Sequence, residues 1–137
     1  MDLMIIGDPH AHPDYDNKRF EKLGKFIVKT KPDVVVCMGD FADMPSLSSY
    51  DKGTKGFEGR RYQKDIDAAL DAQARLLHPL KKMKSLKRYM VLGNHEDRIN
   101  RLTNSTPELD GTIGIKDLKY KENGWKTTPF KKSLKLK

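Results

Sequence analysis

The sequence has very little cysteine and no long apolar run, and each absence excludes a class of protein. Cys37 is the single cysteine among 137 residues, which excludes a disulfide framework and a zinc site built from cysteines. This composition fits a reducing compartment, and we expect a cytoplasmic protein. The first apolar run, residues 3–6, is too short for a signal peptide or a membrane-spanning helix. We therefore expect a soluble protein without a membrane partner.

Charged residues are abundant, and their balance is basic. Lysine and arginine number 27 against 19 aspartates and glutamates, which gives a net charge of +8. This excess favours phosphate-bearing partners, and nucleic acid is one candidate. Lysine-rich segments such as 81–84 and 131–137 are also typical of solvated faces, so both interpretations stay open. The length and the concentration of apolar residues in short runs predict one folded domain over residues 1–137.

Strand and helix patterns alternate along the chain. Three short runs have the composition of buried strands: residues 2–7, 34–38 and 87–92. Helical patterns follow them: residues 17–30, 62–83 and about 96–104. This alternation predicts an α/β fold with a mostly parallel or mixed sheet and helices on both faces.

Residues 44–61 show no periodicity, which predicts a long loop or lid. Loops of this length in compact domains are usually functional or mobile. A role in handling substrate and a plain surface excursion both stay open. Lys52, Arg60 and Arg61 are the candidates to neutralise a substrate phosphate.

Each predicted strand ends in a short motif that carries potential ligands. The motifs are Gly-Asp-Pro-His at 7–10, Gly-Asp-Phe-Ala-Asp at 39–43 and Gly-Asn-His-Glu-Asp at 93–97. The carboxyl ends of the strands are where α/β proteins place their sites. The oxygen and nitrogen donors of these motifs suit Mn²⁺, Zn²⁺, Fe or Mg²⁺ and come from four residues: Asp8, His10, Asp40 and Asn94. Asp40 could use both oxygens to bridge two ions, as carboxylates do in two-metal phosphoryl-transfer sites.

Together the motifs resemble those of the calcineurin-like metallophosphoesterase superfamily, and residues 46–62 look like phage-encoded members. The resemblance implies metal-dependent hydrolysis of a phosphomonoester, a nucleotide or a nucleic-acid phosphodiester. It implies that Asp8, His10 and Asp40 bind a first ion and that Asp40 and Asn94 bind a second, with Mn²⁺ expected. For a phage-encoded protein, the expected location is the host cytoplasm.

The third motif also supplies the implied catalytic residue. The resemblance implies that His95 is the general acid that protonates the leaving oxygen or steadies the phosphate. Asp43 could orient His95 or a metal ligand from the second shell of the site, or cap its loop. Glu96 and Asp97 stand at a helix start, where acids favour the helix dipole, and this predicts a structural role. His12 is close enough to the first motif to be a candidate contact for a metal or substrate.

The resemblance ends near residue 104. The family continues with a lone histidine and a Gly-His-x-His motif that complete both metal shells, but this sequence has no histidine after His95. Two ions are expected in a complete site, and a single ion is the alternative here. Three interpretations stay open: part of a longer enzyme, a natural short form, or a catalytically incomplete binding protein that holds at most one metal. Residues 133–137 resemble an unpaired strand, so we expect an incomplete sheet that self-associates or meets a protein partner.

Overall fold

The computed structural model describes residues 1–48 and 59–136, in which strands and helices alternate. The sheet contains four strands: β1 (Leu3–Ile6), β2 (Val34–Cys37), β3 (Lys87–Val91) and β4 (Lys126–Thr128). Three α-helices connect them: α1 (Lys18–Thr30), α2 (Tyr62–Leu77) and α3 (Asn94–Ser105). Of the predicted loop at 44–61, Pro45–Leu47 form a 3-10 turn, whereas residues 49–58, with Lys52, lie outside the described part.

All four strands are parallel, and their order in the sheet is β1-β2-β3-β4. A sheet that grows in one direction through right-handed crossovers places its connecting helices on one face. The core agrees with this rule, since Ile6, Val35 and Met90 of the strands join buried residues of all three helices in one cluster. The predicted α/β class and parallel sheet are confirmed, and the buried helix residues pack on one face of that sheet.

The opposite face of the sheet is largely apolar and partly open. Leu3, Ile5 and Met38 are 42%, 61% and 51% exposed, although they alternate with buried residues on the same strands. Leu134 and Leu136 line a groove on this face. Within the described residues, no helix is long and apolar enough to cross a membrane.

The prediction of a terminal strand over residues 133–137 is wrong for the described residues 133–136, which have no regular structure. The outer edge of β3 is already occupied by β4, whose residues Lys126–Thr128 pair with Tyr89–Val91. The terminal leucines lie against the apolar sheet face, where they bury surface, instead of extending the hydrogen-bonded ladder.

Helix α1 is held close to the end of α2 by a glycine. A Cβ on Gly24 would lie 3.0 Å from Pro79 Cγ and closer still to the Leu76 carbonyl oxygen. The α-helix α2 ends at Leu77, and a 3-10 turn, His78–Lys82, follows because Pro79 cannot donate a backbone hydrogen bond. This close approach fixes the orientation of α1, which begins beside the first motif.

We predict that Gly24→Ala destabilises the protein by about 1–3 kcal/mol, because the added methyl group overlaps the Leu76 carbonyl. At an unconstrained helical position, replacing glycine with alanine would instead raise the free energy of unfolding by up to about 1 kcal/mol. Urea denaturation measures the sign. The exposed neighbour Lys25→Ala is the control, with a change within about 0.5 kcal/mol. A stabilised Gly24→Ala variant would contradict the packing described.

Candidate metal centre

The first two motifs are joined by backbone hydrogen bonds that extend the parallel pairing beyond β1 and β2. The His10 amide donates to the Asp40 carbonyl at 2.9 Å, and the Asp43 amide donates to the Ala11 carbonyl at 3.0 Å. Ala11 and Ala42 form an isolated parallel bridge between the two loops. The side chains of the two motifs are thereby held next to one another at the carboxyl edge of the sheet.

The third motif packs directly on the second through two glycines. A Cβ on Gly39 would lie 2.8 Å from the Gly93 nitrogen, and a Cβ on Gly93 would lie 2.6 Å from the Asp40 nitrogen. Gly39 also has a φ of 102°, which side chains rarely tolerate. The spacing of the two loops therefore requires glycine at both positions.

Glu96 connects these loops through a fully buried carboxylate. Its Oε1 accepts the amide hydrogens of Asp40 and Gly93, both at 2.8 Å. Its Oε2 accepts from the Ala42 amide and the Tyr120 hydroxyl, both at 2.9 Å. Burial raises the pKa of Glu96, whereas the hydrogen bonds favour its charged form. Glu96 therefore does more than begin a helix, because it fixes the second motif against the third.

Asp8, His10 and Asp40 form the first potential ligand group. One ligand atom from each lies within 4.8 Å of the others. Asp40 is buried, and its Oδ1 accepts the His95 amide hydrogen at 2.8 Å. Its Oδ2 lies 3.9 Å from His10 Nε2. Asp8 is exposed, so this group opens to solvent on one side.

The backbone of this group adopts the left-handed region at three residues that are not glycine. The φ angles are 36° at Asp8, 50° at His10 and 51° at Asp40. Such conformations are uncommon outside glycine and tend to cluster at functional sites, where the surrounding structure enforces them. Here the hydrogen bonds between the loops and Glu96 supply that enforcement.

Two histidines donate hydrogen bonds to Asp43. His10 Nδ1 donates to Asp43 Oδ1 at 2.7 Å, and His95 Nδ1 donates to the Asp43 backbone carbonyl at 2.7 Å. Both acceptors are oxygens without a proton to give, which places the proton of each ring on Nδ1. The Nε2 atom of each imidazole is therefore free of Asp43.

The same contacts shift the pKa values of Asp43 and His95. Burial disfavours the charged form of Asp43, yet the hydrogen bonds from His95 and His10 lower its pKa to about 2. The hydrogen bonding of His95 to Asp43, which accepts from its ring, in turn raises the pKa of His95. Asp43 is thus an anion that orients one imidazole and helps the other to hold a proton.

His10, Asp43 and His95 also bring ligand atoms within 4.8 Å of one another. Their facing atoms are already engaged in hydrogen bonds, with His10 Nδ1 and His95 Nδ1 both donating to Asp43. A cation there would have to displace both protons. The chemistry of the donors therefore favours the group of Asp8, His10 and Asp40.

The other predicted site residues lie beside this cluster. Asn94 is exposed at the first position of α3, next to His95. Arg60 and Arg61 line a pocket that also contains His12. Arg60 donates to the Pro45 carbonyl at 3.1 Å.

Two arginines with a place in the site were not identified from the sequence. Arg98 Nη1 donates to the carbonyls of Asp43 at 3.1 Å and Met44 at 3.3 Å. Its position three residues after His95 puts both on one side of α3, a spacing that could have revealed it. Arg19 donates to the carbonyls of Pro9 and His10, a long-range contact without a sequence signal.

Comparison with known proteins adds a family and two relatives. A model of the calcineurin-like phosphoesterase family matches residues 1–133. Over 96 residues the chain is 32% identical to the Gene 54 proteins of Mycobacterium phage L5 and Mycobacterium phage D29. The aligned part is 70% of this chain but 36% of each relative, so the chain spans little more than a third of the curated relatives it matches.

We predict that Glu96→Gln lowers the free energy of unfolding by about 2–4 kcal/mol, because an amide NH₂ would face two of the four present donors and leave them unsatisfied. Urea denaturation monitored by Trp125 fluorescence measures the loss. The control is the exposed Glu108→Gln, with a change within about 0.5 kcal/mol. Equal stability of the two variants would contradict the central role of the Glu96 carboxylate.

Proposed function

The chain belongs to the calcineurin-like phosphoesterase family, and from that membership we propose that it hydrolyses phosphoesters with divalent metal ions. One observation carries the proposal, the convergence of ligand atoms from Asp8, His10 and Asp40 within 4.8 Å at the carboxyl edge of the sheet. Three parallel strands, β1, β2 and β3, end at this edge, which is where parallel α/β folds bind their ligands.

The donors fit a divalent ion. The proposed ligands are two carboxylates, one imidazole and one amide oxygen: Asp8, His10, Asp40 and Asn94. This oxygen-rich set suits Mn²⁺ best, with Zn²⁺, Fe and Mg²⁺ as alternatives. When bound, the ions polarise the phosphoryl group and offset the charge that develops on it during hydrolysis. Asp40 is the one member proposed for both ions.

We assign His10 and Asp43 to one unit. Since His10 Nδ1 donates to Asp43, the lone pair of the ring is on Nε2, which faces Asp40 Oδ2 at 3.9 Å. Carboxylates that accept the second N–H of a ligating histidine fix the orientation of its ring and increase its basicity. Asp43 is therefore proposed as the positioning residue for His10.

We assign the proton transfer to His95. Its Nδ1 is held by the Asp43 carbonyl, so its Nε2 is the atom available to protonate the leaving oxygen. Its backbone amide donates to Asp40 Oδ1, which fixes the ring next to the proposed ligands. Arg60 and Arg61 are proposed to contact the non-reacting part of the substrate.

The alternative is a binding protein that holds one metal ion without turnover. Its support is that, among the described residues, the converging ligands Asp8, His10 and Asp40 form a single group that one ion can occupy. Under either function, the phage relatives support a proposed location in the cytoplasm of an infected host.

We predict that the protein hydrolyses p-nitrophenyl phosphate in Mn²⁺, and that Asp40→Asn and His95→Ala each lower kcat/KM by about 10²–10⁴-fold. The exposed His78→Ala is the matched control and retains the wild-type rate. Metal analysis of the purified protein accompanies the assay. Equal rates in all variants would reject the hydrolase, and one ion per chain without turnover would favour the binding protein.

We predict that Asp43→Asn weakens Mn²⁺ binding by about 10–100-fold, because His10 then donates to a neutral amide oxygen, which increases the basicity of its Nε2 less than a carboxylate does. Titration calorimetry of the metal-free protein measures the affinity. The exposed Asp110→Asn controls for the loss of one negative charge and leaves it unchanged. An unaltered affinity in Asp43→Asn would show that Asp43 does not position a ligand.

A further inference from the structure

A pocket opens beside the proposed metal centre, between the loop after β1 and the start of α2. Its polar lining contains one imidazole, three cationic side chains and two carboxylates: His12, Arg60, Arg61, Lys64, Asp14 and Asp65. The pocket is separate from the proposed ligands, since it contains none of them. Its basic side chains come from the residues that immediately precede α2 and from its first turn.

His12 joins the pocket to the centre. Its Nδ1 accepts the Asp14 amide hydrogen at 3.0 Å, which places the ring proton on Nε2. That Nε2 lies 3.8 Å from Asp43 Oδ2, while the side chain as a whole is 12% exposed. The ring of His12 is thus the inner wall of the pocket and, on its other side, a neighbour of Asp43.

The charges of the pocket favour an anion. Arg61 and Lys64 are exposed, and with Arg60 they bring three cations to the pocket. Asp65 is only 1% exposed, its Oδ2 accepts the Ser46 amide hydrogen, and burial raises its pKa. Asp14 lies at the surface with its side chain 82% exposed, where water screens it as it screens the two exposed cations. The three cations therefore outnumber the two carboxylates of the pocket.

The amino terminus of α2 adds to this preference. Arg61 is the residue before the first turn of this 16-residue helix, and the unpaired amides there carry a partial positive charge. The same end of the helix supplies Lys64, so backbone and side-chain charge act together on one side of the pocket.

We propose that this pocket binds a second phosphate of the substrate, next to the phosphate that is hydrolysed. The substrate is then a nucleotide unit with two neighbouring phosphates and not a simple phosphomonoester. The assignment of the anion to the substrate rests on the proposed hydrolytic function, but anion binding by the pocket does not require hydrolysis. A polynucleotide and a nucleoside polyphosphate both present two neighbouring phosphates, so both fit this proposal.

The test begins with binding to the metal-free full chain in EDTA, which separates the pocket from catalysis. Inorganic phosphate is the probe, because without metal only the pocket is proposed to hold it, and calorimetry at low salt is the readout. We expect Arg61→Gln combined with Lys64→Gln to weaken phosphate binding about tenfold. Lys29→Gln, in the last turn of α1 at the opposite edge of the sheet, leaves phosphate binding unchanged. No phosphate binding by the wild-type protein, or no effect of the double variant, overturns the proposal.

Hydrolysis in Mn²⁺ then identifies the source of the second phosphate. A preference of the wild-type protein for a short oligonucleotide over ATP, lost in the double variant and steeply reduced by salt, assigns a polynucleotide. The reverse preference assigns a nucleoside polyphosphate. If nothing is hydrolysed while phosphate binding and its loss in the double variant are observed, the proposed hydrolysis fails and the anion subsite stands. If p-nitrophenyl phosphate is hydrolysed without any preference for the second phosphate, the subsite fails and the hydrolysis stands.

Discussion

One buried carboxylate, that of Glu96, sets the distances on which the site depends. A carboxylate without water is stable only if donors surround it, and here three backbone amides and the Tyr120 hydroxyl do so. Because these donors belong to different loops, satisfying the charge also fixes the loops relative to one another. The placement of Asp40 beside the start of α3, and with it the geometry of every proposed ligand, follows from that requirement.

The residues that would perform the chemistry are supported by residues that would not. Asp43 accepts from both His10 and His95, while Arg98 donates to the carbonyl of the same Asp43. Arg19 holds the loop of the first motif by its carbonyls. Neither arginine is a proposed ligand, but each constrains the backbone that presents one. This arrangement explains how the left-handed conformations at Asp8, His10 and Asp40 are maintained in a small domain.

Most of the fold could be predicted from the sequence because its strands are short apolar runs and its helices are amphipathic. The motifs also placed Asp8, His10 and Asp40 at one edge, since parallel strands end together. The role of Glu96 could not be predicted, because an acid at a helix start looks the same whether it faces solvent or a buried loop. The terminal segment could not be predicted for a similar reason: alternation in Ser133–Leu136 is compatible with a strand, and only the packing in three dimensions places its leucines against the sheet face.

The one-directional strand order separates the two surfaces of the sheet. Along β1, Met4 and Ile6 face the core and lead into the first motif, whereas Leu3 and Ile5 point to the other side. The proposed metal ligands thus lie at an edge of the sheet and the exposed apolar side chains on a face, with the backbone of one strand between them. Substitutions on the open face can therefore be made without replacing a residue of the proposed site. Selection can act on the edge and the face independently within a few consecutive residues.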